Sequence, residues 1–367
     1  MKIPTTLQSL IAAARAPLND WPSRYPEHRA LGYLCSYAPQ ELIHAAGWTP
    51  VRIRANRASL RYVDAHLQSF TCALCRSALD QTLGSELDWL GGTLFSHTCD
   101  AMQALADLWR MHTPSTHFVD AVMQPVNLGS PAARPYLVAE LERVRRQLGA
   151  FSGHPISDDD LWPSIDLYRQ TAEAISQLGD LRSRLSAAHF FAVLDAAQVM
   201  PREQFNPALK TLLAELESQP SLGDGPRLYL TGAVLDEIRL LDLIDDVGAR
   251  VVGDDLCSGS RHFFACPSTD GNPLEALADC YLQRPPCPTK LAPAHDAART
   301  LMEQASRAGA DGILFVLAKF CEPHAFEYAR ILPQLRQAGI PCQLLEMEHT
   351  PSLEALRTRL QAFVEML

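Results

Sequence analysis

Lysine is scarce. Of 32 basic residues only four are lysines, Lys2, Lys210, Lys290 and Lys319, and no block of like charge occurs along the chain. With a formal net charge of −10, nucleic-acid binding has no electrostatic footing. No apolar run approaches the length that spans a bilayer, so no membrane segment is expected. There is no Gly-Lys pair and therefore no G-x-x-x-x-G-K-S/T nucleotide loop. No two CxxC pairs stand in tandem, which argues against a structural zinc ribbon. The N-terminal stretch MKIPTTLQSLIAAARAPLND is soon broken by Arg15 and offers no clear cleavage site. It reads as an amphipathic helix, and a cytoplasmic location is the expectation.

What is present is a globular composition. The 367 residues are 47% hydrophobic and 20% charged, long for one core and comfortable for two. Ten cysteines stand at 35, 72, 75, 99, 257, 266, 280, 287, 321 and 342. In a cytosolic chain of this size they are not expected to form a disulfide framework. They are core thiols, metal ligands or nucleophiles. The single CxxC, Cys72 to Cys75, does not follow a strand-like run as a thioredoxin-type motif would.

Strand-like and helix-like patterns alternate from about Leu31 to Asn127. LGYLCSYAP reads as strand then loop. PQELIHAAGW reads as a helix with Pro39 in its first turn and Gly47 at its end. TPVRIRA, GGTLFS and THFVDAVMQPV read as strands. From about Ala132 to Glu217 the apolar spacing is helical throughout, and Ser157 before three aspartates reads as a helix cap. From Gly225 the alternation returns, with DEIRLLDLIDDVG as a helix closed by Gly248. Alternation of this kind implies parallel sheets. The expected fold is α/β, with two Rossmann/flavodoxin-like parallel-sheet units joined by a helical section. The boundaries fall at 1–130 for the N-terminal α/β unit, 131–220 for the helical section and 221–367 for the C-terminal α/β unit. Both units use a helix, a glycine, two residues and a strand, which hints at duplicated architecture without a sequence repeat.

Three of the cysteines sit where sheet elements end. LFSHTCDAM puts Cys99 and Asp100 just past a strand, beside His97. LAKFCEPHAF puts Cys321, Glu322 and His324 in the same relation to another strand, with Lys319 nearby. SFTCALCR puts Cys72 at a helix start, followed by Arg76. Carboxyl ends of strands are where open α/β sheets bind ligands. Helix N-termini and nearby cations favour the thiolate, and thiolates are the ligands of soft metals and iron–sulfur clusters. Against this stands the plain alternative that each cysteine is a small apolar residue at a sheet–helix junction.

The chain resembles the 2-hydroxyacyl-CoA dehydratase family, which includes benzoyl-CoA reductase subunits. Five ordered blocks carry the resemblance: GYLCSYAPQELIHAAGWTPVRI; SFTCALCRSALD with GGTLFSHTCDAMQALADLW; LTGAVLDEIRLLDLIDDVGARVVGDDLCSGSRHF; EALADCYLQRPPCP; and DGILFVLAKFCEPHAFEYARILPQLRQAGIPCQLLEME. The resemblance implies a [4Fe-4S] cluster held by Cys72, Cys99 and Cys321, with the C-x-x-x-R pattern selecting Cys72 over Cys75 because Arg76 then falls in place. It further implies an acyl-CoA thioester substrate, a similar sister subunit in a heterodimer or larger complex, and an ATP-hydrolysing iron–sulfur activator that supplies a low-potential electron. In the dehydratases of the family that electron makes a ketyl radical anion of the thioester carbonyl, which expels the 2-hydroxyl group.

Candidates for substrate binding and proton transfer are Ser36 and Tyr37 after the first strand, Glu41 and His44 three apart on the next helix, and Glu322 and His324 beside a ligand cysteine. Each has a bland counterpart as a satisfied structural group. Asp254 and Asp255 are expected to order their loop rather than bind a metal. Cys257, Cys266, Cys280 and Cys287 are expected to be core or loop thiols, and Cys280 and Cys342 read as packing. Dehydration and aromatic reduction remain open. So do a double-cubane-type reductase using extra thiols such as Cys35 and Cys75, a non-catalytic partner subunit, and a zinc-binding module.

Overall fold

A computed structural model describes residues 3–56, 58–266 and 270–367. Two four-stranded sheets organise it. The first contains β1 (Ala30–Tyr33), β2 (Thr49–Arg52), β3 (Gly92–Ser96) and β4 (Phe118–Val122) in the order β2-β1-β3-β4. The second contains β5 (Arg227–Gly232), β6 (Arg250–Leu256), β7 (Gly312–Ala318) and β8 (Cys342–Met347) in the order β6-β5-β7-β8. Every pairing is parallel. The two orders are the same: second strand, first, third, fourth. The α/β expectation and the duplicated architecture are both met. The left-handed glycines that precede matching strands, Gly47 before β2 and Gly248 before β6, have φ of 78° and 79°, a conformation that costs glycine alone little.

Strands covered on both faces must be apolar almost throughout. GILFVLA in β7 is buried from Gly312 to Leu317, and all of β3 is buried. One face of the first sheet packs on the helices Ala73–Leu83 and Asp100–His112 through Leu79, Leu105 and Trp109. The second sheet carries the helices Ala297–Arg307 and Glu322–Gln337 on one face and the helices Ala187–Val199 and Leu353–Val364 on the other.

Chain order and packing order differ. The N-terminal helix Thr5–Arg15 packs with Ala187–Val199 in the core of the second sheet. The late helix Pro273–Gln283 packs on Ala133–Ser152 against the first sheet, through Leu274, Leu277 and Tyr281. Four helices, Ala133–Ser152, Asp158–Asp180, Ala187–Val199 and Arg202–Glu217, fill the stretch between the sheets, as the helical spacing predicts. Ser157 caps the second of these in a reciprocal box. Its hydroxyl accepts from the Asp160 amide at 3.2 Å, and its own amide donates to the Asp160 carboxylate at 2.8 Å. Pro39 stands one residue earlier than expected, as the cap of Gln40–Ala45.

One cysteine expectation is corrected. Cys266 and Cys280 are joined in a disulfide, with Cα atoms 4.9 Å apart. The loop after β6 lies back on the helix Pro273–Gln283, which brings the two positions within bridging range. Sequence patterning identifies Cys280 as buried but carries no information about what faces it.

Gly92 opens β3 with φ of 153°, and a Cβ there would stand 2.0 Å from the Phe118 carbonyl oxygen and 2.5 Å from its amide nitrogen. Those atoms belong to the neighbouring strand and have no room to retreat. Gly92→Ala is expected to lower stability by roughly 2 kcal/mol or more. Urea unfolding checks this, and a midpoint equal to that of the parent would refute it.

Candidate functional site

Parallel strands deliver their following loops to one edge of a sheet. The chain leaves β3 at Ser96, turns at Thr98, whose hydroxyl bonds the Ser96 carbonyl at 3.3 Å, and enters the helix Asp100–His112 with Cys99 as its cap. It leaves β7 at Ala318, reverses at Phe320 with φ of 65°, and enters Glu322–Gln337 with Cys321 as its cap. Pro323 in the first turn of that helix suits its start. Cys72 caps Ala73–Leu83. All three predicted ligand cysteines thus occupy the same position, the residue before a helix. Two of them follow corresponding strands, since β3 and β7 hold the same place in their sheets.

The three cysteines line one cavity of about 940 Å3, together with Cys287. Each thiol is drawn toward the thiolate by the amide three residues on, that of Cys75, Met102 or His324. For Cys72 the larger effect is the Cys75 thiol beside it, and its pKa falls below the usual cysteine value. Cys75 itself is pushed well up, first by that contact and then by burial. Burial dominates at the other two sites. It pushes Cys99 up to about 12 and Cys321 higher still.

The surroundings hold these caps in place. Arg76 donates to the carbonyls of Leu67 and Gln68, at 3.3 and 2.9 Å, and pairs with Asp64, so it fastens the loop that precedes Cys72. Beside Cys321, the buried His324 lies 3.4 Å from the Cys257 sulfur, and Arg261 reaches that sulfur at 3.5 Å while pairing with Asp255 at 2.6 Å. Asp254 accepts from the Ser260 amide and hydroxyl, both at 2.7 Å, and pairs with the buried Arg182. Both aspartates order their loop, as the sequence suggests.

The other predicted residues divide. Glu322 lines the cavity, whereas Ser36, Tyr37, Glu41, His44 and His324 are not among its lining residues. The Ser36 carbonyl accepts from Arg284. The Tyr37 hydroxyl accepts the Cys287 amide at 3.2 Å and so supports the cavity wall from behind. Glu41 is buried and accepts from the Tyr281 hydroxyl at 3.1 Å, and burial raises its pKa. His44 points elsewhere, toward the Ser164 hydroxyl at 2.7 Å and Glu203 at 2.8 Å. The cavity also gathers Cys287, expected as a core or loop thiol, and three groups that the sequence reading gave no site role: Lys290, His295 and Arg330. The run RPPCPTK, with proline on both sides of a cysteine, was the available signal for Cys287 and Lys290. Among the described residues, no three or more His, Cys, Asp and Glu side chains gather tightly enough to hold a single metal ion. No helix of those residues is long and apolar enough to cross a membrane.

Two matching sheets whose strand ends share a thiol-lined cavity define the class: an α/β protein with a ligand site at the loop edge of a parallel sheet. Comparison with known proteins supplies the family. The sequence model described as "2-hydroxyglutaryl-CoA dehydratase, D-component" matches residues 35–367, and the chain belongs to that family. It is 30% identical over 346 residues to the lactoyl-CoA dehydratase beta subunit of Anaerotignum propionicum, covering 92% of this chain and 91% of that one. It is 26% identical over 345 residues to the (R)-phenyllactyl-CoA dehydratase beta subunit of Clostridium sporogenes, covering 92% of each. It is 27% identical over 367 residues to a benzoyl-CoA reductase subunit of Thauera aromatica, covering 95% of this chain and 93% of that one.

A lowered pKa populates the thiolate at lower pH, and a raised one keeps the thiol protonated through the neutral range. In metal-free folded protein, Cys72 is therefore expected to react with iodoacetamide near neutral pH, and Cys99 and Cys321 only in strongly alkaline solution. Peptide mass spectrometry across a pH series reads all three at once. A common pH profile for the three would contradict the assignment.

Proposed function

We propose that this chain is the cluster-bearing subunit of an acyl-CoA enzyme of the dehydratase and benzoyl-CoA reductase kind, holding a [4Fe-4S] cluster on Cys72, Cys99 and Cys321. The observation that carries this reading is the convergence of three helix-capping thiols on one cavity. The donor set fits the group. It is all sulfur, it comes from three separate elements, and it lies in a space much larger than a single ion requires. Two of the thiols are held protonated mainly by burial and further by the neighbouring thiols, a cost that a bound cation removes by fixing the thiolate. When bound on these three cysteines, such a cluster would supply one-electron chemistry at low potential.

The chain's own residues do the rest. The three helix starts place positive dipole ends and amide hydrogens around the thiolates, which favours the anionic sulfurs. The cavity walls limit the access of bulk water to a thioester bound there. Glu322 stands next to Cys321 in the lining and is a candidate for moving a proton at the substrate. Tyr37, Ser36 and Glu41 act at one remove, by fixing the wall and the loop after β1. The relatives named as beta subunits support a similar sister subunit as partner. An ATP-hydrolysing iron–sulfur activator as electron donor and a cytoplasmic setting complete the reading. Within it, dehydration of a 2-hydroxyacyl-CoA is the first activity to assay and aromatic reduction the second.

Iron and acid-labile sulfide should each approach about four per chain in protein purified without oxygen, with an EPR signal after reduction. Cys99→Ala and Cys321→Ala should abolish that iron, and Cys280→Ala should retain it. Full iron in both cap variants would remove the ligand assignment. About eight iron per chain would replace one cluster by two.

A further inference from the structure

One wall of the cavity is a strap, residues 284–292, that no regular element explains. It is held rigidly all the same. Prolines 286 and 288 fix two backbone angles on either side of Cys287. The Cys287 amide is bound to the Tyr37 hydroxyl at 3.2 Å, and the Lys290 amide to the Cys287 carbonyl at 2.8 Å. Leu291 then exchanges backbone bonds with Val126 and Leu128, at 2.8 and 2.9 Å, in the segment after β4. The strap is therefore anchored to the first sheet on both sides of Lys290.

Cys287, Thr289 and Lys290 all line the cavity. One of their polar atoms is an orphan. Lys290 Nζ is shielded from solvent and has no hydrogen-bond partner among the described residues, while the Thr289 hydroxyl lies against the Cys287 thiol and favours its thiolate. The ammonium group is held in position by the Tyr37 ring, whose centroid is 5.1 Å away. Asp100, Glu322 and Glu327 share the cavity lining, and none accepts from Lys290. The contrast with Lys319 is informative, since that exposed lysine is paired with Glu348 at 2.6 Å. A shielded ammonium without an acceptor is costly, because it has lost water and gained nothing of equal strength. A chain this poor in lysine has placed one of its four in the wall of its large cavity with its donors unspent. Burial lowers the Lys290 pKa, and a bound anion would raise it again.

We infer that Lys290 Nζ forms an anion subsite on the cavity wall, which receives a negatively charged oxygen of the bound ligand. Which oxygen that is rests on the acyl-CoA reading above. It is either a carboxylate at the far end of the acyl group or the thioester oxygen as it gains charge. The existence of the subsite does not rest on that reading, and the two are tested separately.

The first test uses Cys287 as a reporter, in the full chain as purified without oxygen. Iodoacetate and iodoacetamide react with the same thiolate, forming a sulfur–carbon bond and releasing iodide, so their ratio of labelling is insensitive to the ionisation of Cys287. Only iodoacetate carries a carboxylate for Lys290. The ratio at Cys287, read by peptide mass spectrometry, should fall several-fold in Lys290→Met and return in Lys290→Arg. An unchanged ratio in Lys290→Met overturns the inference. Absence of labelling by either reagent until the chain is unfolded would place the strap beyond reach of a ligand and overturns it equally. The second test compares calorimetric binding of glutaryl-CoA and its uncharged match, pentanoyl-CoA. A tenfold or greater loss in Lys290→Met confined to glutaryl-CoA assigns the subsite to a terminal carboxylate. An equal loss for both assigns it to the thioester oxygen, and no loss for either overturns it. Parent protein that binds neither compound would refute the acyl-CoA reading, and the labelling ratio then decides the subsite by itself.

Discussion

A parallel sheet sends every strand in one direction, so every loop that follows a strand opens at the same edge. The rest of the site depends on this constraint. Residues at 99 and 321 are far apart in the chain, yet each follows the third strand of its own sheet and begins the next helix. A cysteine placed before the first turn of such a helix meets a set of unpaired amides whose positive end favours anionic sulfur. The same backbone rule, applied in both sheets, gives chemically matched surroundings to two thiols that no local sequence feature connects. Cys72 adds a third from a helix start that follows no strand.

The two sheets are tied to one another by charged groups taken out of water. Arg52, at the end of β2, is buried and donates to Asp236 after β5 at 2.7 Å, and the same carboxylate accepts the Ala55 amide at 2.9 Å. Arg202 from the helical section reaches Gln40 at 3.1 Å, and Arg284 reaches the loop after β1. Losing one member of such a buried pair leaves an unmatched charge, at a cost of about 3–5 kcal/mol. These bonds add little to stability compared with apolar packing of the same volume. Their effect is positional, because they fix one sheet edge against the other where the thiols meet.

Much of this was legible in the sequence. Apolar runs with glycines at matched spacing signalled two parallel sheets and a duplicated architecture, because buried parallel strands leave a strong hydrophobic signature, whereas the order of the strands came only with the structure. The three cysteines were legible as strand-end or helix-start residues, and the structure brings them to one cavity. Contacts between distant segments were not legible. Nothing in ALADCYLQ says that Cys280 faces Cys266, and nothing in RPPCPTK says that its lysine shares a cavity with three thiols from distant parts of the chain. Glu41 and His44 share a short helix, yet one faces Tyr281 and the other Ser164 and Glu203. Spacing on a helix fixes which residues are neighbours on its surface. It does not fix what the opposing surface will be.

The helix Pro273–Gln283 completes the core over the first sheet by packing on Ala133–Ser152 and Asp158–Asp180, although it is made after β5 and β6. As the chain leaves the ribosome, Leu137, Leu141 and Leu161 wait for Leu274, Leu277 and Tyr281 before the core they share is complete. The N-terminal helix waits likewise for Ala187–Val199. Long waits of this kind raise contact order and slow folding, and they leave apolar surface open to chaperones in the meantime. They also interlock the two halves, so that neither sheet has its full complement of packing without chain from the other side of the molecule. A fragment cut between them would lose part of its own core, and the edge-to-edge alignment of the cavity is thereby built into the order of assembly.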